Sequence, residues 1–339
     1  MSMRVRVLGR SGLRVGEMCL GTMTFGTDWG FGAEESACRE IYGAFREAGG
    51  TFVDTANVYT SGASETIVGR LVAAERDAVV LGTKYTLPSD KDDPNSGGSH
   101  RKSLRRSVEA SLRRLGTDYV DVLWVHAWDE CTPAEETMRA LDDLVRTGKV
   151  LAVGVSNTPA WVVARSQAIA ELRGWTAFCG LQVEYSLAAR SAERELLPMA
   201  REFGLAVTAW SPLAAGLLSG KYAGGAGTPD TRRRTSLATV SPPGQRAAAV
   251  AADVAAELGT TSARVALAWV LRQGIVPVLG ARTVTQIRDN LGARDVRLDG
   301  AQLERLDAAA RVRPGYPHEF LNERRAAISG GALGGEPLG

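Results

Sequence analysis

The chain has 339 residues, 45% hydrophobic and 23% charged, with a net charge of +2. That balance suits a soluble globular protein and gives no case for nucleic acid or another polyanion as partner. No apolar run is long enough to span a bilayer, and no apolar segment follows the first arginines, so a cytoplasmic location without membrane contact is expected.

In chain order, RVRVLGRSGLRVGE reads as a hairpin turning at GRSG. Eight short apolar runs follow: 18–22, 51–56, 78–84, 121–127, 151–156, 180–184, 205–211 and 275–280. Amphipathic stretches of helical period separate them, several ending in Gly and others opening with Ser, Thr or Pro. Eight such alternations predict an α/β protein of the (β/α)8 barrel type, one domain over 1–339, with the hairpin ahead of the first barrel strand. No GxGxxG follows a strand, which argues against an open dinucleotide-binding sheet. The connections 87–100 and 222–244 are long, and both could overhang the C-terminal face of the barrel as mobile flaps. The segment 314–339, ending ISGGALGGEPLG, is expected to be partly disordered. Cys19, Cys38, Cys131 and Cys179 are scattered without a CxxC. They read as buried or partly buried free thiols, and no metal site is expected.

Four polar residues stand in or beside these apolar runs: Asp54, Tyr59, Lys84 and His126. A charge in such a strand is costly unless paired or used. Singly, each has a bland explanation: a loop cap, a loop aromatic, a snorkelling lysine, a satisfied core histidine. Together they fall at or just past the ends of strands two, three and four, which are neighbours in a barrel whose chemistry sits at that end. An Asp can hold a Lys, and a Lys beside a Tyr lowers the phenol pKa. Such a Tyr can protonate a carbonyl oxygen that a His orients.

At these residues the chain resembles the aldo-keto reductase superfamily. The resemblance rests on DTANVY (54–59), TKY around Lys84, SLRRSVEASLRRLGTDYVDVLWVH ending at His126, VGVSN (153–157), QVEYS from Gln182, AWSPLAAGLLSGKY (209–222) and VPVLGART…QIRDNLGA near the end. GGSHRKS and GYPHEFL point to the bacterial and channel-subunit-like branches. The resemblance implies NAD(P)H-dependent reduction of an aldehyde or ketone to an alcohol. It makes Tyr59 the general acid, Lys84 its partner, Asp54 the counterion and His126 the carbonyl-orienting donor. It also implies that Ser156, Asn157 and Gln182 bond the nicotinamide carboxamide and that Trp210, where Tyr is common, stacks on the ring. Ser211, Pro212, Leu213, Gly216, Leu218 and Lys221 would line the pyrophosphate, and Gly280, Arg282, Gln286 and Asn290 the adenosine end. Thr22, Met23 and Asp54 complete the cofactor set.

NADPH is expected over NADH, because a 2′-phosphate suits the Arg282 guanidinium at the start of a helix and no acid competes there. The usual Lys-Ser form of that motif is absent. Phe25, Trp29, Tyr59, His126 and Trp128 are the candidate substrate pocket, whereas Trp161, Trp175 and Trp269 read as core packing. Arg232, Arg233 and Arg234 read either as a clamp on the cofactor pyrophosphate or an anionic substrate, or as a solvated flexible loop. The expected partner is a small carbonyl compound, and the expected assembly a monomer or small homo-oligomer. Alternatives are a nucleotide-keto-deoxysugar reductase and an NADPH-binding regulatory subunit with little turnover.

Overall fold

The computed structural model describes residues 3–220 and 241–331. Within them, β1 (Val5–Val7) and β2 (Arg14–Gly16) form an antiparallel hairpin, with Val5 opposite Gly16. Eight parallel strands then close a barrel: β3 (Cys19–Gly21), β4 (Phe52–Asp54), β5 (Val80–Tyr85), β6 (Val120–Val125), β7 (Val150–Ser156), β8 (Phe178–Glu184), β9 (Ala206–Trp210) and β10 (Val276–Leu279), which pairs back onto β3. Each lies within or overlaps one of the eight predicted runs. The hairpin and the (β/α)8 architecture are as the sequence predicted.

The two-residue period of the strands sorts their side chains into two layers. Leu20, Val53, Leu81, Leu123, Val153, Leu181, Ala209 and Leu279 pack outward against the helices in one buried cluster. Cys19, Phe52, Val122, Trp124, Ala152, Cys179 and Val276 form a second, separate cluster that also holds Leu8 and Val15 of the hairpin. The hairpin therefore plugs the N-terminal end of the barrel interior. The same alternation puts Asp54 on the face of Phe52, Lys84 on that of Val80 and Ser156 on that of Ala152, so these polar residues share the interior face at its C-terminal end.

Local sequence sets the helix limits. The helix Arg101–Leu115 stops at Gly116 (φ 63°) and Ala160–Arg173 at Gly174 (φ 62°), both left-handed turns that favour glycine. Thr261 and Thr283 cap the helices Ser262–Arg272 and Val284–Leu291 by accepting from the backbone N–H of Arg264 and Gln286. His318–Ile328 forms a helix inside the segment expected to be poorly ordered, and residues 332–339 lie outside the described ones.

Connection 87–100 is tied down rather than free. Gly98 N–H donates to Thr86 O at 2.8 Å, Ser99 N–H to Asp129 at 2.8 Å, and Asn57 Nδ2 to Leu87 O at 3.1 Å. Most of connection 222–244, including Arg232–Arg234, lies outside the described residues, as does Lys221. Cys19, Cys38 and Cys179 are buried free thiols, but Cys131 is exposed. Among the described residues no helix is long and apolar enough to cross a membrane, and no cluster suits a metal ion.

Candidate active site

Lys84 is the hub of the C-terminal mouth. Its side chain is fully buried, and its ammonium donates to Asp54 Oδ2, to Thr55 O at 2.7 Å and to the Tyr59 hydroxyl at 3.1 Å. A lysine has three N–H donors, so all are committed and the side chain cannot swing. Tyr59 leaves the end of β4 on a short turn whose Thr60 and Ser61 take positive φ values of 44° and 55°. Thr60 is held by its hydroxyl donating to Phe25 O at 2.7 Å. His126 follows β6, its ring edge-on to Tyr59 with centroids 6.0 Å apart. Asp54, Tyr59, Lys84 and His126 are thus brought to one place.

Electrostatics give each a protonation state. Burial works against charge on Lys84, but Asp54 and then Tyr59 outweigh it, leaving its pKa at about 12. Burial raises Asp54, while Lys84 pulls it down again. Burial also raises Tyr59, and Lys84 opposes that rise without cancelling it. Lys84 thus pulls the phenol down as expected, but burial is the larger influence and leaves the net shift upward. Burial, followed by the Lys84 charge, lowers His126 to about 3, so its ring is neutral at physiological pH. The arrangement offers a protonated phenol, a fixed ammonium beside it and a neutral imidazole N–H, which suits proton donation to an oxygen held between Tyr59 and His126.

The next side chains along the rim are those of β7, β8 and β9. Ser156 Oγ and Gln182 Nε2 are buried without a hydrogen-bond partner. Orphaned groups of this kind are unusual, and a carboxamide would satisfy both, so they fit a nicotinamide. Asn157 (φ 46°) differs. Its Nδ2 donates to His126 O at 2.8 Å and its Oδ1 accepts from Trp210 Nε1 at 3.1 Å, so both ends of its amide are already engaged. This pairing holds the Trp210 indole at the mouth. Beyond it, Ser211 (φ 53°), Ala214 (φ 48°), Ala215 (φ 52°) and Gly216 (φ 96°) make a tight turn in which Ser211 Oγ accepts from Ala215 N–H at 3.1 Å. Pro212 and Leu218 are buried and Leu213 half-buried, leaving backbone to face a ligand there.

Gly280 is exposed at the end of β10, and Asn290 Nδ2 donates to its carbonyl at 3.3 Å. Arg282 has its backbone N–H on Gln286 Oε1 at 2.8 Å, and among the described residues no acid pairs with its guanidinium. Thr22 is fully buried, its hydroxyl donating to Asp54 O at 3.1 Å, while the neighbouring Met23 is exposed.

Trp29 and Trp128 are each 40% exposed at the mouth. Trp29 lies edge-on to Tyr59 at 6.4 Å, and Trp128 edge-on to Trp161 at 5.8 Å. Phe25 does not belong to the pocket. It is fully buried in the outer cluster, because the chain turns it inward while its carbonyl holds Thr60. Trp161 is 61% exposed, not core, whereas Trp269 is fully buried against Tyr185. Sequence reasoning missed Thr55, whose carbonyl takes one Lys84 donor, and Glu184, whose Oε1 is buried and unpartnered in register with Trp210. The period-two step from Gln182 was the available signal for Glu184.

The model of the Aldo/keto reductase family matches residues 17–311. Norsolorinic acid reductase stcV of Emericella nidulans is 38% identical over 329 residues, covering 92% of this chain and 83% of that protein. Oxidoreductase YrpG of Bacillus subtilis, uncharacterized, is 40% identical over 327 residues, covering 90% and 95%. Aryl-alcohol dehydrogenase GME11368 of Pestalotiopsis microspora is 35% identical over 331 residues, covering 94% and 85%.

Proposed function

The chain belongs to the aldo/keto reductase family, a family of nicotinamide-dependent oxidoreductases, and on that premise we propose that it uses NADPH to reduce an aromatic aldehyde or ketone to its alcohol. The observation that carries this reading is the chain from buried Asp54 through buried Lys84 to half-buried Tyr59, with neutral His126 beside the phenol. A reduced nicotinamide, when bound, supplies the hydride to the carbonyl carbon. Tyr59 gives its proton to the carbonyl oxygen, and the phenolate left behind is stabilised by the Lys84 ammonium 3.1 Å away. Asp54 keeps that ammonium charged and in place, and His126 holds the carbonyl oxygen with an uncharged N–H. Ser156 and Gln182 orient the carboxamide, and Trp210, fixed through Asn157, offers a flat face to the ring.

Two arguments support the finer parts. Arg282, without an acidic partner among the described residues and just ahead of a helix, suits a 2′-phosphate better than a free 2′-hydroxyl. The exposed faces of Trp29 and Trp128 at the mouth suit a flat aromatic substrate, and one of the relatives is named an aryl-alcohol dehydrogenase. The test is NADPH oxidation against a panel of aromatic and aliphatic aldehydes and ketones and keto-sugars, with Tyr59→Phe alongside. Turnover on aromatic carbonyls that vanishes in the variant, with NADPH binding retained, is expected. Activity surviving in Tyr59→Phe would sink the assignment of the proton donor.

A further inference from the structure

Trp124 sits at the centre of the barrel interior, fully buried, one strand from Lys84 and in register with it. Three strands leave room for its ring by carrying glycine where it passes. A Cβ on Gly154 would come within 2.3 Å of the indole, one on Gly180 within 3.0 Å, and one on Gly82 within 3.0 Å of Nε1 itself. Glycine in a strand interior weakens the strand and often marks a close approach. Here three glycines on β5, β7 and β8 serve a single side chain and leave it almost no freedom to turn.

The one polar atom of that ring stands near the carboxylate of Asp54. The point where a Gly82 Cβ would stand is 3.0 Å from Trp124 Nε1 and 3.3 Å from Asp54 Oδ1, so the two atoms flank the same glycine. Asp54 Oδ2 is held by Lys84, but Oδ1, Trp124 Nε1 and Gln182 Nε2 are all buried without a hydrogen-bond partner. One unsatisfied acceptor thus lies close to two unsatisfied donors, and buried groups of this kind favour pairing over standing alone.

We propose that Trp124 is a positioning residue for the proton-donating chain: its indole N–H is the donor for Asp54 Oδ1, the carboxylate oxygen that Lys84 does not hold. The indole thereby fixes the plane of the carboxylate, which fixes Lys84, which fixes the Tyr59 hydroxyl. The proposal rests on the function proposed above. Gln182, drawn to a nicotinamide carboxamide, leaves the indole as the donor that stays with Asp54.

Charge supports the geometry. Burial pushes Asp54 towards its neutral form, Lys84 opposes this most strongly, and the Gln182 and Trp124 donors oppose it as well. The other titratable groups around it are Tyr59, Cys19 (a thiol that burial keeps neutral) and His126, neutral as well. Removing the indole N–H therefore lets Asp54 take its proton at higher pH.

Two variants break the contact by different routes. Trp124→Phe deletes the N–H and keeps an aromatic ring; Gly82→Ala keeps both partners and drives a methyl between them. The acid limb of the kcat/KM profile is expected to move up by about one pH unit in Trp124→Phe and in the same direction in Gly82→Ala. In cofactor-free protein the Trp124 indole N–H resonance, followed by NMR, is expected to shift as Asp54 titrates and to lose that dependence in Asp54→Asn. Profiles that superimpose on wild type, or an indole resonance indifferent to Asp54, would overturn the proposal. Tyr59→Phe is assayed in parallel. Were it to stay active, the proposed function would fall, and the indole resonance alone would decide whether the Trp124–Asp54 contact exists. If Trp124→Phe does not fold, Gly82→Ala and the wild-type resonance still decide.

Discussion

Lys84 donates to Tyr59 across 3.1 Å while its remaining N–H groups are spent on Asp54 and the Thr55 carbonyl. The phenol is thus coupled to a charge that cannot move away from it. Catalysis of the proposed kind needs this constraint, because a mobile ammonium would be solvated before it could stabilise a phenolate.

Replacing the lysine tests that coupling. Lys84→Met leaves the Asp54 carboxylate, 1% exposed, without its counter-charge. A loss of about 3–5 kcal/mol in unfolding free energy is expected, with turnover down by about 10²–10⁴. The double variant Asp54→Asn with Lys84→Met is expected to regain most of the stability and none of the activity. Denaturant unfolding and kcat on the same preparations separate the two effects.

His126 gives a pH prediction with a definite sign. Its folded pKa of about 3 lies below the 6.5 of a free imidazole. Between these values the unfolded chain binds the extra proton and the folded one does not, so stability is complete above pH 6.5 and is lost as pH falls towards 3. The slope is at most about 1.4 kcal/mol per pH unit. The difference between wild type and His126→Gln isolates it from other acids. A difference that does not change between pH 7 and 5 would show that the imidazole is charged or exposed.

Arg282 is expected to set the cofactor preference. Arg282→Ala should raise the KM for NADPH by about ten- to a hundredfold, the value of one charge-assisted contact, and leave that for NADH nearly unchanged. Equal effects on both cofactors would assign the guanidinium to something other than a 2′-phosphate.

Trp128→Ala and Trp29→Ala test the aromatic wall. Each is expected to raise KM for an aromatic aldehyde by about two- to tenfold, from a stacking contribution of about 0.5–1.5 kcal/mol, with little effect on a short aliphatic aldehyde. Parallel losses on both substrates would point to a distorted mouth instead.

Much of the site was legible in advance for a simple reason. Polar residues in apolar strands have few tolerated uses, so Asp54, Lys84 and His126 stand out, and the alternation of apolar runs with helical periods gives the barrel that brings their strand ends together. Phe25, Trp161 and Asn157 were harder. Whether Phe25 faces the mouth or the outer layer depends on how the loop after β3 turns, and Trp161 is exposed because it lies on the outer side of its helix. Asn157 already has partners because its left-handed turn swings the amide between His126 and Trp210. No local pattern encodes these choices.

The sequence alone determined the fold class, the hairpin and four polar residues, Asp54, Tyr59, Lys84 and His126, in or beside apolar strands, because period and residue chemistry are local properties. Tertiary structure decided the sign of the Tyr59 shift, since desolvation depends on everything packed around the phenol and here exceeds the pull of one ammonium. It also decided what the glycines of β5, β7 and β8 are for. Only when the strands close does Gly82 stand between an indole and a carboxylate that lie 70 residues apart in the chain.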